Sequence, residues 1–132
     1  MAQVTSPILV DTHFILWLRV APRQLTRGER AVLDNAPSRH VSIVSLWEIA
    51  IMVTVGRIPP DDHLMETPVG FDLLPVRETH CKAYAALPMH HRDPFDRMLI
   101  AQAQSEQVPL LTRDRRMTAY SEQATILRFP RA

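Results

Sequence analysis

The segment PILVDTHFILWLRV, residues 7–20, decides the fold of this chain. Its first residues form a continuous apolar run without alternation, which predicts a short strand at residues 7–11 that is covered on both faces. Residues 12–20 follow without a turn and predict a helix. Asp11 lies at the junction of the two elements. A strand that passes directly into a helix is typical of an α/β unit.

The rest of the chain repeats this alternation. Further strands are predicted at residues 40–44, 71–76, 108–112 and 125–129, and helices at residues 26–35, 45–55, 78–87, 95–106 and 115–120. Two helix starts have the spacing of a capping box, Thr26 with Glu29 and Ser45 with Glu48. The pattern predicts an α/β domain with a mainly parallel central sheet of about five strands, flanked by helices.

Composition sets further bounds. A chain of 132 residues that is 46% hydrophobic fits a single domain over residues 1–132. A net charge of +1 predicts no general affinity for nucleic acid. The single cysteine, Cys81, excludes an internal disulfide and a multi-cysteine metal site, and it suits a reducing compartment. No apolar run approaches about 18 residues, so we expect a cytoplasmic protein without a membrane segment.

Four scattered carboxylates stand where apolar stretches meet turns or helix starts. Asp11 ends the first predicted strand and Asp114 lies just beyond the fourth, whereas Glu48 and Asp96 are expected in the first turns of their helices. In parallel sheets, right-handed crossovers bring strand ends and the following helix starts to one edge, where ligands bind. The sequence therefore predicts that the four acids converge.

Each acid also has a purely local explanation. Asp11 fits a helix N-cap, Glu48 the partner of Ser45 in a capping box, Asp96 a first-turn acid, and Asp114 an Asx turn. Against these explanations, apolar residues follow Asp96 and Glu48 at helical spacing, so both acids are expected to begin core-facing stripes. The stripes are Leu99, Ile100 and Ala103 after Asp96, and Ile51, Met52 and Val55 after Glu48.

Several carboxylates buried together without a counter-charge cost stability, and a divalent cation removes that cost. Clustered carboxylates without paired cysteines favour Mg²⁺, with Mn²⁺ as a substitute, over Zn²⁺. The adjacent His90 and His91 are expected to be exposed to solvent. His13 is expected near the edge of the site, and not as a ligand.

Four sequence blocks resemble those of a known family. They are ILVDTH at residues 8–13, SLWEIA at 45–50, HRDPFDRMLIAQA at 91–103 and LLTRD at 110–114. In this order and spacing they resemble the motif blocks of PIN-domain nucleases, and the second and third blocks resemble those of the VapC-like toxins of type II toxin–antitoxin modules. The resemblance extends from Ile8 to about Phe129.

The resemblance implies a Mg²⁺-dependent endoribonuclease, a hydrolase of phosphodiester bonds, whose acid quartet is Asp11, Glu48, Asp96 and Asp114. It implies three partners: an RNA substrate, a second copy of the chain in a homodimer, and a cognate VapB-like antitoxin that covers the acidic site. Apolar stretches in the first helices and around residues 51–58 are expected to receive the antitoxin.

Other residues are expected in supporting roles. Asp93 either caps the helix, holds a ligand in place or binds the metal directly, and Thr112 matches the threonine of the family's Thr-x-Asp pattern. Thr12 and Ser45 are expected to hydrogen-bond metal ligands or their waters. Five arginines flank the acids and are candidates for phosphate contacts, although each is equally compatible with a solvated surface position. They are Arg92, Arg97, Arg113, Arg115 and Arg116.

Trp17 and Trp47 are expected in the core or in a subunit interface, and not as platforms for base stacking. Two rival classes of protein fit the sequence less well. A phosphoacceptor receiver module would have adjacent acids after the first strand and a lysine after the last, but Thr12 follows Asp11 and Lys82 is the only lysine. A PIN-like module that binds RNA or protein without turnover is disfavoured by the intact quartet.

Overall fold

The computed structural model of this protein describes residues 6–129 and has a five-stranded parallel sheet at its centre. The strands lie in the order β3-β2-β1-β4-β5, and every pair is parallel. Their bounds are Ile8–Val10 (β1), Arg39–Ser42 (β2), Phe71–Leu74 (β3), Leu110–Leu111 (β4) and Ile126–Leu127 (β5). The α/β class and the parallel sheet predicted from the sequence are confirmed.

Helices join the strands. They are α1 (Thr12–Val20), α2 (Arg27–Asn35), α3 (Ile43–Thr54), α4 (Glu78–Ala86) and α5 (Pro94–Glu106), with short 3-10 turns at Pro22–Gln24, Asp62–Met65 and Arg115–Tyr120. The capping box of Thr26 and Glu29 at the start of α2 is confirmed. Within residues 6–129, none of the helices has the length and hydropathy that crossing a bilayer requires.

Apolar residues on both faces of the sheet form two cores. Ile8 and Val10 pack on one face with Phe14 of α1, and Leu9 packs on the other face with Leu99 of α5. All three residues of β1 are fully buried. This explains the absence of alternation in the segment, because a central strand covered on both sides has no polar face.

The junction of β2 and α3 differs from the prediction. The strand was expected to continue to residue 44 and the helix to begin with a capping box at Ser45, but α3 begins at Ile43. Ser42 caps it, since its hydroxyl accepts a hydrogen bond from the backbone N of Val44 at 3.0 Å. The branched residues after Ser42 resembled a strand, but the N-cap is Ser42, three residues before the predicted cap at Ser45. Glu48 therefore lies in the second turn of α3.

The stripe that follows Glu48 is also different from the prediction. Ile51 is 37% exposed and Val55 is 63% exposed, and only Met52 of the three packs against the core. The buried side of α3 carries Ser45 and Ile49 instead. The expected core-facing stripe is therefore correct after Asp96, where all three residues are buried, and wrong after Glu48.

The topology places the ends of the central strands side by side. β1 pairs with β4 in the register Leu9 to Leu110 and Val10 to Leu111. The residues just after these strands, Asp11 and Thr112, are consequently neighbours, although 101 positions separate them. The helices α3 and α5 contact each other on this side of the molecule, which brings a second pair of acids to the edge.

Candidate active site

Asp11 lies at the bottom of the site. It follows β1, is 3% exposed, and its Oδ2 accepts a hydrogen bond from the hydroxyl of Thr112 at 2.7 Å. It makes no side-chain cap to α1, although it occupies the N-cap position. Burial raises the pKa of Asp11 above its usual value, and the Thr112 hydrogen bond acts in the opposite direction. The capping explanation of this acid is thus excluded.

Asp96 lies in the first turn of α5, as expected, beside a separate capping residue. The N-cap is Asp93, whose Oδ1 accepts hydrogen bonds from the backbone N of Phe95 at 2.8 Å and of Asp96 at 3.2 Å. Because Asp93 satisfies these donors, the carboxylate of Asp96 is free to point into the cluster. Burial and then the charge of Asp11 raise the pKa of Asp96 to about 7, with smaller contributions from Asp93 and Glu48.

Glu48 reaches the same cluster from the second turn of α3. Burial raises its pKa, and the charges of Asp11 and Asp93 add to this effect. Its Oε1 is buried and has no hydrogen-bond partner among the described residues. Buried polar atoms are normally paired, so an unpaired carboxylate oxygen in a group of acids indicates that a cationic ligand belongs there.

Asp114 stands at the rim of the cluster and has a different environment. Its Oδ1 accepts from the backbone N of Arg116 at 2.9 Å, which confirms the Asx turn, and its Oδ2 pairs with the Arg116 guanidinium at 2.9 Å. The hydrogen bond from Arg116 lowers the pKa of Asp114. The hydroxyl of Thr112 nevertheless links Asp114 to Asp11, since it donates to Asp11 Oδ2 and accepts from the backbone N of Asp114.

Three hydroxyl groups support the cluster. Thr112 donates to Asp11 and also accepts from the backbone N of Asp114 at 3.1 Å, which fixes two of the acids relative to each other. Thr12 donates to the hydroxyl of Ser45 at 2.8 Å, which joins α1 to α3 behind the acids. Thr112 thus contacts Asp11 directly. Thr12 also lies against Glu48, whose pKa its hydrogen bond acts to lower, and Ser45 holds Thr12 in place.

His91 was expected to be exposed, and that prediction is wrong. Its side chain is 8% exposed, and Nε2 lies 2.8 Å from Oδ2 of Asp96, within hydrogen-bond distance. Ligand atoms of His91, Asp93 and Asp96 all lie within 4.8 Å of one another. The neighbouring His90 is exposed, as expected. The only signal in the sequence was the Asp93-Pro94 helix start, which turns the preceding loop back onto the first turn of α5.

Two of the five candidate arginines are held away from any substrate. Arg97 is 4% exposed and donates from Nη1 to the Pro88 carbonyl and to the Tyr120 hydroxyl, both at 3.0 Å. Arg113 forms a salt bridge of 2.5 Å with the fully buried Glu29 and lies over the ring of Trp17. The phosphate-binding prediction is wrong for these two residues because their guanidinium groups already have buried partners.

The other arginines and the tryptophans are more exposed. Arg116 pairs with Asp114, and Arg92 and Arg115 are exposed beside the site. Trp17 is partly buried against the core. Trp47 is 61% exposed and packs edge-on against Phe95 at a centroid distance of 5.1 Å, which excludes a core position for Trp47.

The donor set fits a divalent metal ion. The ligand atoms that lie within 4.8 Å of one another are those of His91, Asp93 and Asp96, and the charges of Asp11 and Glu48 act on Asp96 from beside them. Three of the acids have raised pKa values because burial and like charges disfavour their ionised forms. A cation would reverse both effects, and oxygen ligands are those that Mg²⁺ and Mn²⁺ prefer.

Comparison with known proteins identifies the family. The PIN domain family matches residues 8–123 of this chain, and the chain belongs to that family. Among curated proteins, it is 25% identical over 120 residues to Ribonuclease VapC22 of Mycobacterium tuberculosis, a match that covers 87% of this chain and 92% of the relative.

Solved structures show the same fold. VapBC2 from Rickettsia felis, bound to a DNA fragment from its promoter, superposes with a TM-score of 0.72 at 11% identity, covering 94% of this chain and 99% of the other. VapBC-5 from Mycobacterium tuberculosis superposes with a TM-score of 0.68 at 19% identity, covering 93% of this chain and 98% of the other. A toxin–antitoxin complex from Klebsiella pneumoniae superposes with a TM-score of 0.64 at 16% identity, covering 91% of this chain and 95% of the other.

Proposed function

We propose that this protein is a Mg²⁺-dependent endoribonuclease that hydrolyses RNA phosphodiester bonds in the cytoplasm as the toxin of a VapBC-type toxin–antitoxin system, with Mn²⁺ as a substitute metal. The observation that carries the proposal is the meeting of Asp11, Glu48 and Asp96 at one sheet edge, where the Glu48 Oε1 has no partner among the described residues. The ribonuclease name of the VapC22 relative supports the same reading.

The residues of the site have different roles, which follow from their positions. Asp11, Glu48, Asp96 and Asp114 would hold the cation. Bound there, it supplies positive charge that activates water and offsets the charge developing on the phosphate. Thr112 orients Asp11 through its hydroxyl, and Asp93 leaves Asp96 free by capping α5.

RNA approaches this site against repulsion. The acids carry the same sign of charge as the phosphate backbone, so the cation has to be in place before the substrate binds productively. Arg92 and Arg115 are exposed beside the acids and remain the candidates for phosphate contacts. Arg116 offsets the charge of Asp114 from within the site.

A groove beside the first helices is the proposed receptor of the antitoxin. Val20 at the end of α1 is 62% exposed and lines an open groove of about 670 Å³. Arg19, Arg39, Asp61 and Glu66 add charges of both signs to its walls. Such a mixed surface suits an amphipathic peptide segment. The similar structures from Klebsiella pneumoniae and Mycobacterium tuberculosis are a toxin–antitoxin complex and a member of a family of toxin–antitoxin systems, which supports a partner of this kind.

An apolar ridge on α3 is the proposed homodimer surface. It consists of Ile43, Trp47, Ile51 and Val55, which are spaced four residues apart and are 37–63% exposed. An adjoining groove of about 460 Å³ is lined by apolar and aromatic side chains such as Phe95 and Met98. Exposed apolar patches of this extent are normally covered. A ridge of residues four apart packs against its own copy in a twofold dimer, and this favours a second copy as the occupant.

Trp47→Glu is expected to dissociate that dimer. The charge would be placed at the most exposed aromatic side chain of the ridge, and loss of a central aromatic contact costs about 2 kcal/mol or more, which raises the dimer dissociation constant about 30-fold. Sedimentation velocity over a concentration series measures this. Val69→Glu, a fully exposed site away from α3, is the matched control. A wild-type protein that stays monomeric at tens of micromolar contradicts the dimer.

The proposed activity is tested directly by purified protein and structured RNA. We expect cleavage with Mg²⁺ or Mn²⁺ and none in the presence of a chelator. Expressed without an antitoxin in a bacterial host, the wild type is expected to arrest growth and to produce discrete new RNA ends, and the Glu48→Gln protein is not. Bound RNA without new ends would instead indicate a module that binds without turnover.

A further inference from the structure

The loop before α5 is fixed by a single buried phenol. The hydroxyl of Tyr120, which is fully buried, accepts hydrogen bonds from the backbone N of His90 at 3.1 Å and of His91 at 3.0 Å. It also accepts from Arg97 Nη1 at 3.0 Å. The two backbone donors tie the loop to Tyr120, and Arg97 ties Tyr120 to α5, so the position of His91 beside α5 is set by the fold.

The side chain of His91 reaches the acids. His91 Nε2 lies 2.8 Å from Asp96 Oδ2, and ligand atoms of His91, Asp93 and Asp96 lie within 4.8 Å of one another. Two atoms that bind one Mg²⁺-sized or Mn²⁺-sized ion at right angles are about 3 Å apart, because each lies about 2.1 Å from the ion. The spacing of Nε2 and Oδ2 is therefore that of two neighbouring ligands, as well as that of a hydrogen bond.

We propose that His91 is a nitrogen ligand of the divalent cation that Asp96 holds. The inference rests on the proposed function for the presence of the cation, and it adds a ligand outside the acid quartet. His90, one residue away, is exposed and cannot take the same part. Asp93 contributes Oδ1 to the helix cap, which leaves its other oxygen to complete this side of the site.

A nitrogen ligand changes which metal the site prefers. Imidazole binds transition-metal ions more readily than it binds Mg²⁺, which favours oxygen ligands. If only carboxylates bound the metal, a substitution of His91 would change the affinities for Mn²⁺ and Mg²⁺ equally. His91 therefore raises the affinity of the site for Mn²⁺ relative to Mg²⁺.

The test uses the whole protein with Mn²⁺ alone as the probe. Pulsed electron paramagnetic resonance of the Mn²⁺-loaded wild type is expected to show coupling to an imidazole ¹⁴N nucleus. His91→Ala and His91→Gln are expected to lose that coupling and to bind Mn²⁺ about tenfold more weakly, with a change of less than about threefold for Mg²⁺. His90→Ala, the matched control, should keep both the coupling and the affinity.

The outcomes separate this inference from the proposed function. Wild-type protein that binds Mn²⁺ without nitrogen coupling overturns the role of His91 and leaves the acidic metal site intact. Coupling that persists in both His91 variants also overturns it, because the nitrogen then comes from another residue. A folded wild-type protein that binds no Mn²⁺ overturns the proposed metal site itself. The decisive spectrum is that of the wild type, so it does not depend on the stability of any variant.

Discussion

Asp96→Asn protein is expected to cleave RNA about 1000-fold more slowly than wild type, or worse. A metal ligand contributes several kcal/mol to charge stabilisation in the transition state, and about 4 kcal/mol corresponds to three factors of ten in rate. Asn keeps the shape of Asp96 and loses only its charge. Single-turnover cleavage at saturating Mg²⁺ measures the effect, and cleavage at the wild-type rate would contradict the assignment.

The same substitution is expected to stabilise the metal-free fold. In the folded protein the pKa of Asp96 is raised from 3.8 to about 7, so between these values the folded state binds more protons than the unfolded state. The free energy of unfolding therefore falls as the pH rises from about 4 to about 7 and stays lowered above that range. Asn at this position does not ionise, so the Asp96→Asn protein keeps the free energy of unfolding that the wild type loses. Above pH 7 the melting temperature of the Asp96→Asn protein should exceed that of the wild type by roughly 5 °C.

Thermal unfolding in a chelator from pH 5 to pH 8 measures this difference. Asp34→Asn, which changes an exposed carboxylate on α2, is the control and should follow the wild type. Added Mn²⁺ should stabilise the wild type more than the Asp96→Asn protein, since only the wild type has the full set of charges. Equal melting temperatures for the two proteins at every pH would show that the acids do not interact as the structure indicates.

Glu29→Ala is expected to have the largest effect on folding, about 3 kcal/mol, or a fall of roughly 10 °C in melting temperature. Glu29 is fully buried, pairs with Arg113 at 2.5 Å and accepts from the backbone N of Thr26 at 2.7 Å. Removing it leaves the mostly buried guanidinium without a counter-charge and opens the start of α2. Such a loss exceeds that of a surface pair severalfold.

Two comparisons make the Glu29 result specific. Glu29→Gln keeps a capping side chain and removes only the charge, so it should fall between wild type and Glu29→Ala. Glu66→Ala breaks the exposed pair with His63 and should cost no more than about 1 kcal/mol. Burial acts to raise the pKa of Glu29, but hydrogen bonds from Arg113 keep it below 4.5. The stabilisation is therefore present at neutral pH and lost as the pH falls below that value.

The features of the fold that the sequence predicted correctly depend on local patterns, each of which is compatible with only one kind of structure. An apolar run followed at once by a helix is a buried strand of an α/β unit, and its end lies at the edge where ligands bind. This placed Asp11 and Asp114 correctly. The helical spacing of apolar residues after Asp96 was equally decisive, because the middle of α5, from Arg97 to Ala103, is buried.

The parts that the sequence did not predict depend on contacts between distant segments. The apolar ridge of α3 is exposed after Glu48 because no other element of the described chain packs over it. An apolar pattern in the sequence is the same for a helix face in the core and for one at a protein interface. Arg97 resembled a phosphate ligand, but Tyr120 and the Pro88 carbonyl take up its hydrogen bonds. The inward position of His91 has the same origin, since it is set by a phenol 29 residues away.

The hydroxyl of Thr112 links two acids that the chain makes at very different times. Asp11 is synthesised 101 residues before Thr112, which is followed by Asp114. A nascent chain that has not yet made β4 has neither the partner of Asp11 nor the fourth acid. If the protein cuts RNA as we propose, its unfinished copies are harmless, and the danger to the cell begins only when the sheet closes.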